Sequence, residues 1–315
     1  MTTVTLGPNG PAVSALGIGT WAWGDKLFWS YGKEYDSTAL QEAFKAALAA
    51  GITLFDTAEI YGFGESERLL GQFMQQMPQQ PVQIATKYFP LPWRFTGDAV
   101  ADALTASLKR LQLPTITLYQ VHWPFDFFMG QTTLMNALAD EVQQGRIQSV
   151  GVSNYSAEQM QRAHEQLAAR GVPLAVNQVQ YSLLARQIES NGVLKTAQDL
   201  GITILAYSPL AQGLLSGKYT AETAAPSGAR RLDPRFSRSG LEKLAPVIQV
   251  LWSLAEQYER TPAQVALNWL IAQGNVIPIP GAKNADQARQ NAGALGWTLA
   301  PEDVERLAQV TQAWQ

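Results

Sequence analysis

Cysteine is absent from this chain, and only two histidines are present, His122 and His164. The first absence removes disulfides, thiolate nucleophiles and cysteine-built metal sites together. The second argues against a histidine-built metal centre, so no metal is expected. Charge of one sign is also scarce. Lys and Arg number 23 against 26 Asp and Glu, a net charge of -3, so no global field draws in nucleic acid or an anionic membrane. No run of 18 or more apolar residues exists to span a bilayer. The opening M-T-T-V-T-L-G-P-N-G lacks the basic region and apolar core of a secretory signal. These absences point to a cytoplasmic protein; a small-molecule partner and a monomer or weak oligomer are further expectations.

What is present is an ample core. Of 315 residues, 46% are hydrophobic and 16% charged, a length that suits one α/β barrel, which takes about 250 residues. T-V-T-L, G-P-N-G-P and A-V-S read as a small hairpin around Asn9-Gly10. Short apolar strands then alternate with helical segments. Expected strands are Leu16–Gly19, Thr53–Asp56, Val82–Lys87, Ile116–His122, Ser149–Ser153, Leu174–Gln178, Ile202–Tyr207 and Val276–Pro278. Expected helices include Ser37–Ala50, Glu65–Gln76, a capping box S-A-E-Q from Ser156, Asn191–Leu200, and Thr261-Pro262 as cap and first helical residue. Eight units without a break predict a single domain over residues 1–315: a (β/α)8 TIM barrel with an N-terminal hairpin and an extra C-terminal helix, Pro301–Ala313.

In such a barrel the site is built at the carboxyl ends of the strands. The stretch Leu54–Gly71 supplies Asp56 at a strand end, Tyr61 in a Gly-rich loop, and a helix opened by Ser66 and Glu67. A carboxylate and a phenol there form an acid–base pair, because Tyr needs help to give up a proton near neutral pH. Taken alone, an Asp in this place is also a common cap. The other strand ends add Trp21, Lys87, His122, Ser153-Asn154, Gln178, Tyr207-Ser208 and Pro280-Gly281-Ala282-Lys283. Each has an ordinary explanation by itself, such as a solvated lysine or a satisfied histidine. Gln178 is odd inside a strand, where an unpaired buried amide costs about 1–3 kcal/mol.

The set D-T-A-E-I-Y, Lys87, His122, G-V-S-N, Gln178, A-Y-S-P-L and I-P-G-A-K-N resembles the aldo-keto reductase superfamily over nearly the whole chain. The wording is similar to that of bacterial and plant-type members related to potassium-channel β subunits and pyridoxal reductases. The resemblance implies reversible NADPH-dependent hydride transfer with aldehydes or ketones. In it Tyr61 is the general acid, Lys87 and Asp56 ease its proton transfer, and His122 bonds the carbonyl oxygen. It implies further that Ser153, Asn154 and Gln178 hold the nicotinamide carboxamide and that Tyr207 stacks on its ring. Thr20, Trp21 and Asp56 join the NADPH/NADP+ site. Ser208, Pro209, Leu210, Gly213, Leu215 and Lys218 line the pyrophosphate, and Lys283 meets the 2′-phosphate. Pro280, Gly281, Gln287, Gln290 and Asn291 surround the adenine end, with Gln290 in place of an expected Glu. The loop from Ala211 to Gly240, with Arg230, Arg231, Arg235 and Arg238, reads as a lid over the cofactor.

Aromatic residues gather in the loops after the first, third and fourth strands, and Trp23, Trp29, Trp93 and Trp123 are expected at the substrate. Such walls suit small reactive aldehydes, dicarbonyls such as methylglyoxal, and aromatic aldehydes, and pyridoxal is the case that the family resemblance implies. A decoy stands at Gly17–Ala22, where G-I-G-T-W-A fits a dinucleotide pattern. No helix is expected to start there, because W-G-D-K-L-F-W-S-Y-G-K follows. Two functional classes stay open: a carbonyl reductase, and a cofactor-binding regulatory module like the channel β subunits.

Overall fold

The computed structural model describes residues 3–125, 127–220, 222 and 233–315. Strands β1 (Thr3–Thr5) and β2 (Ala12–Ser14) pair antiparallel as the expected hairpin. The remaining eight strands form one parallel sheet in chain order: β3 (Gly17–Gly19), β4 (Leu54–Asp56), β5 (Gln83–Tyr88), β6 (Leu118–Val121), β7 (Val150–Ser153), β8 (Leu174–Gln180), β9 (Thr203–Tyr207) and β10 (Val276–Pro278). The sheet closes on itself where Gly19 bridges Gly281 and its N–H donates to the Pro280 carbonyl at 3.0 Å. The architecture is the expected α/β barrel.

Helices α1 (Ser37–Ala49), α2 (Glu65–Gln76), α3 (Asp98–Leu111), α4 (Gln131–Gln143), α5 (Ala157–Ala168), α6 (Gln187–Ser190), α7 (Val193–Asp199), α8 (Arg238–Gln257), α9 (Pro262–Ile271) and α10 (Ala285–Ala292) follow their strands, and α11 (Pro301–Val310) is the extra C-terminal helix. Their starts obey local chemistry. Asp36, Ser156, Thr261 and Asn284 each accept a backbone N–H from the first turn, which satisfies a donor the helix cannot. The expected helix Asn191–Leu200 is α7, which starts at Val193 because Gly192 takes a φ of 87°, the left-handed region, and this turn separates it from the short, unexpected α6.

Side chains alternate across each strand, so residues two apart share a face. The lower inward layer is apolar: Leu54, Ala85, Leu118, Val176, Leu205 and Ile277 pack together, with Leu6 and Val13 of the hairpin region against them. Gly7 N–H donates to Thr203 Oγ1 at 2.9 Å, and Ser14 Oγ accepts from Thr53 N at 3.0 Å. The hairpin is therefore the plug at the amino ends of the strands. Two residues further along, the same face carries Asp56, Lys87, Gln120 and Gln178. The apolar floor and the polar mouth are successive layers of one alternation.

The plug makes a stability prediction. Leu6 is fully buried, and Leu6→Ala should cost about 2–5 kcal/mol in urea unfolding, as large-to-small core changes do. An unchanged unfolding midpoint would show that the floor does not depend on the hairpin.

Candidate functional site

Asp56, at the end of β4, is 3% exposed and accepts donors from three other strands. Its Oδ2 takes the Lys87 ammonium at 2.6 Å, and its Oδ1 takes Gln178 Nε2 at 2.7 Å and Gln120 Nε2 at 3.3 Å. A buried carboxylate is tolerated only when so paired. Gln120 was not among the residues singled out in the sequence. It stands two residues before His122 on β6, hence on the inward face, and a polar residue at that period was the signal. Gly151 on β7 leaves it room, since a Cβ there would lie 2.9 Å from Gln120 Cγ.

Lys87 is fully buried, and its three N–H donors all have partners: Asp56 Oδ2, the Thr57 carbonyl at 2.7 Å and the Tyr61 hydroxyl at 3.5 Å. That valence is an ammonium's. Burial pushes its pKa down, while the charge and hydrogen bond of Asp56 hold it up. Tyr61 is pushed well above the ordinary phenol value, by burial first and by the Asp56 charge second. The resting site thus keeps the proton on Tyr61 and spends most of the Lys87 charge on Asp56. Because the Tyr61 oxygen accepts from Lys87, its own proton is left for another acceptor.

His122 is 9% exposed, and its ring stands edge-on to Tyr61 at 5.7 Å and to Phe89 at 5.6 Å between centroids. Burial, with the Lys87 charge behind it, pushes its pKa down to about 3. The ring is therefore neutral, with one N–H to offer, and its buried Nδ1 has no partner among the described residues.

On the other side of the mouth, Tyr207 OH donates to Asn154 Oδ1 at 3.0 Å, and Asn154 Nδ2 donates to Ser153 Oγ at 3.1 Å and to the His122 carbonyl at 3.3 Å. Ser153 Oγ donates to the Gln178 carbonyl at 2.9 Å. Ser153, Asn154, Gln178 and Tyr207 are thus one bonded group joined to the Asp56 cluster through Gln178. Beyond β9, Ser208, Ala211, Gln212 and Gly213 have φ of 51°, 47°, 57° and 99°. Three non-glycine residues so placed within five positions mark a strained turn, the kind that persists at functional sites. Within that turn Pro209 is buried and Leu210 half-buried; just after it Leu215 is buried and Lys218 exposed.

Other expected residues fall less simply. Trp21 is 43% exposed at the mouth, but Thr20 beside it is fully buried, its Oγ1 on the Asp56 carbonyl at 2.9 Å. Trp23 is corrected outright. It is fully buried, donates Nε1 to the Ala282 carbonyl at 2.8 Å and packs on Phe55 and Phe73, so its ring lines no opening. Trp29 packs edge-on to Trp21, and Lys283 Nζ sits 4.7 Å above the Trp29 ring and 4.5 Å above that of Tyr35. A cavity of about 550 Å³ adjoins, lined by Lys33, Tyr35, Lys283, Asn284 and Gln287 among others. Gln287 accepts from the Lys283 N–H, Asn291 donates to the Gly281 carbonyl, and Gln290 is exposed. Of the expected lid, Arg230 and Arg231 lie outside the described residues. Arg235 pairs with Asp233 and Arg238 with Glu242.

Trp93 and Trp123 do reach the surface of the mouth, 68% and 39% exposed. A chain of ring contacts joins Phe89, Phe125, Trp123, Phe127, Phe128 and Phe95. Among the described residues no group of three or more metal-ligating side chains could hold a metal ion, and no helix is long and apolar enough to cross a membrane.

The chain that carries this site, a buried Asp–Lys pair beside a tyrosine and a neutral histidine, has relatives among known proteins. The Aldo/keto reductase family model matches residues 15–312. This chain belongs to the aldo/keto reductase family. Membership makes it an oxidoreductase of the carbonyl-acting class. It is 40% identical over 311 residues to the chloroplastic pyridoxal reductase of Arabidopsis thaliana, covering 95% of this chain and 83% of that one. It is 35% identical to the aldo-keto reductase YhdN of Bacillus subtilis, covering 96% and 91%. Among solved structures, the glycerol dehydrogenase AKR11B4 of Gluconobacter oxydans superposes with a TM-score of 0.87 at 30% identity, covering 99% and 95%. An aldo-keto reductase of Klebsiella pneumoniae in complex with NADPH gives 0.75 at 30% identity, covering 99% and 96%.

The electrostatics of His122 can be checked directly. Its folded pKa lies below the unfolded value of about 6.5, so the unfolded chain binds the extra proton between the two. The associated stability is full above pH 6.5 and is lost as pH falls toward 3. Imidazole NMR signals of His122 should stay those of a neutral ring from pH 8 to 5. Protonation near pH 6.5 would contradict the burial argument.

Proposed function

We propose that this protein reduces aldehydes and ketones to alcohols with NADPH, and that Tyr61 is the proton donor. The observation that carries the reading is the contact of the Tyr61 oxygen with an ammonium whose other two donors are already fixed.

The residues fit the cofactor on their own chemistry. Gln178 Nε2 is committed to Asp56 and Gln120, which leaves its Oε1 as an acceptor for a carboxamide N–H. Tyr207 presents a ring beside Asn154. The turn Ser208–Gly213 follows β9 directly after Tyr207, with Ser208, Ala211, Gln212 and Gly213 in the left-handed region, and would hold the pyrophosphate. Lys283 supplies a cation near Asn284 and Gln287.

When bound, NADPH supplies a hydride to the carbonyl carbon. The carbonyl π electrons then move to oxygen, and Tyr61 delivers the proton that this oxygen needs. The phenolate left behind takes over the attraction of Lys87, which Asp56 keeps in place. A proton from water restores Tyr61 after the alcohol departs. His122, neutral, donates its single N–H to the same oxygen and so steadies the growing negative charge. A protonated histidine would compete with Tyr61 as the acid, and burial prevents that.

Aromatic walls favour small reactive aldehydes, dicarbonyls such as methylglyoxal, and aromatic aldehydes. Pyridoxal, in the name of the Arabidopsis relative, is an aromatic aldehyde. The arginine among these walls, Arg94, is paired with Glu59 at 2.5 Å and offers little to a phosphorylated sugar.

The test is NADPH consumption against a panel of aromatic aldehydes, methylglyoxal and a phosphorylated aldose. The first two classes should turn over in the ordinary enzyme range of about 1–10³ s⁻¹, and Tyr61→Phe should lower turnover about 10²–10⁴-fold with NADPH affinity intact. Rates far below that range would favour a regulatory module, and an undiminished Phe variant would remove Tyr61 from the mechanism. Cofactor choice gives a second check. Lys283→Met should weaken NADPH by about 10- to 100-fold more than NADH, the worth of one charge-assisted hydrogen bond. Equal losses in a titration of both cofactors would show that Lys283 does not read the 2′-phosphate.

A further inference from the structure

Glu59 stands three residues after Asp56 and two before Tyr61, yet its side chain turns away from both. Its Oε1 accepts the Phe89 N–H at 2.6 Å and Arg94 Nη1 at 2.5 Å, and its Oε2 accepts Arg94 Nη2 at 3.0 Å. Arg94 Nη1 donates in turn to the Phe89 carbonyl at 2.8 Å, and the Arg94 N–H closes a turn onto the Leu91 carbonyl at 3.0 Å. The guanidinium lies over the Tyr88 ring at 4.9 Å. Both side chains are largely buried, Arg94 at 18% and Glu59 at 8% exposed.

The pair therefore ties both ends of the loop after β5, Phe89 and Arg94, to the segment that carries Tyr61. Phe89 is the ring edge-on to His122, at 5.6 Å, and to Phe125, at 6.4 Å. Trp93 is the neighbour of Arg94. Whatever fixes the Phe89 backbone thus fixes the distance between the aromatic wall and His122. A buried ion pair is a poor device for stability alone, since same-size apolar residues commonly serve as well or better. Its worth lies in geometry: a bidentate fork has one arrangement, and apolar contacts have many.

We propose that Glu59 and Arg94 are positioning residues that set selectivity for aromatic over small aldehydes, by locking the Phe89–Arg94 loop against the Tyr61 segment. The proposal rests on the reductase reading above. A flat aromatic aldehyde needs the wall at a set distance from His122 and Tyr61, whereas methylglyoxal is small enough to react without it. The charged groups of the pair are spent on each other and on the Phe89 backbone, so the pair acts through the loop rather than on the carbonyl.

The test compares wild type with E59Q and with the double variant E59M/R94M, which replaces both partners by apolar side chains and leaves no unpaired charge. KM and kcat are measured for benzaldehyde and for methylglyoxal, NADPH affinity by fluorescence, and amide exchange over residues 88–95 by mass spectrometry. In the double variant KM for benzaldehyde should rise about 10- to 100-fold, the scale of a misplaced site. Values for methylglyoxal, and NADPH affinity, should stay within about threefold, and exchange at the loop should accelerate. E59Q, which still accepts from Phe89 N, should move the same way by less, and R94K, which keeps a charge opposite Glu59 but not the fork, should retain part of the selectivity. Parallel loss for both substrates, or unchanged selectivity in a loosened loop, overturns the proposal. Absence of turnover in wild type would instead refute the reductase reading, while the exchange data would still report the lock.

Discussion

The site depends on one carboxylate with three donors. Asp56 joins β4 to β5, β6 and β8 through Lys87, Gln120 and Gln178, and so ties together strands from opposite sides of the barrel. Neither charge of the Asp56–Lys87 pair could be buried alone, because each would carry an uncompensated desolvation penalty. Together they hold a fully buried ammonium against the Tyr61 oxygen. The same burial that makes the pair expensive keeps His122 neutral and Tyr61 protonated. One desolvated cluster accounts for all three protonation states.

The rest of the barrel supports that cluster by layering. Below it, the apolar ring closed by Leu6 and Val13 shuts the amino end. Around it, the hydroxyls of Thr20, Thr57 and Ser66 bond to one another and to the Asp56 carbonyl, which stiffens the β4 end from behind. Outside, buried Glu67 takes Thr86 and Arg110 at 2.6 Å each and anchors α2 to β5 and α3. Three carboxylates of the Asp56–Glu67 stretch thus face three ways: Asp56 inward, Glu67 outward, and Glu59 along the rim to the next loop.

Much of this was legible in the sequence because it follows from alternation. Polar residues closing apolar strands gave Asp56, Lys87, His122, Ser153, Gln178 and Tyr207, and the structure brings these to one mouth. Gln120 obeys the same period but lies one step below the strand end, where attention to ends alone passes it by. Trp23 was misplaced because a W-x-W pattern in a loop does not reveal which ring turns inward; Phe55 and Phe73 give it an apolar seat, and the Ala282 carbonyl satisfies its N–H. Helix α6, Gln187–Ser190, was not legible, because four residues are too few to show a helical period. The Glu59–Arg94 and Glu67–Arg110 pairs were not legible, since charges 35 and 43 positions apart meet only through the register of β4 and β5 and the helix packing behind them.

The central claim is that the buried Asp56–Lys87 pair exists to place a positive charge on the Tyr61 oxygen as its proton leaves. The most direct measurement is the pH dependence of kcat for aldehyde reduction in Lys87→Met, a change that keeps the length of the side chain and removes its charge. The account predicts a loss of at least about 10²-fold at neutral pH, with NADPH affinity retained. A Met variant with wild-type turnover across the pH range would contradict it, and would leave the pair a structural feature of the barrel mouth.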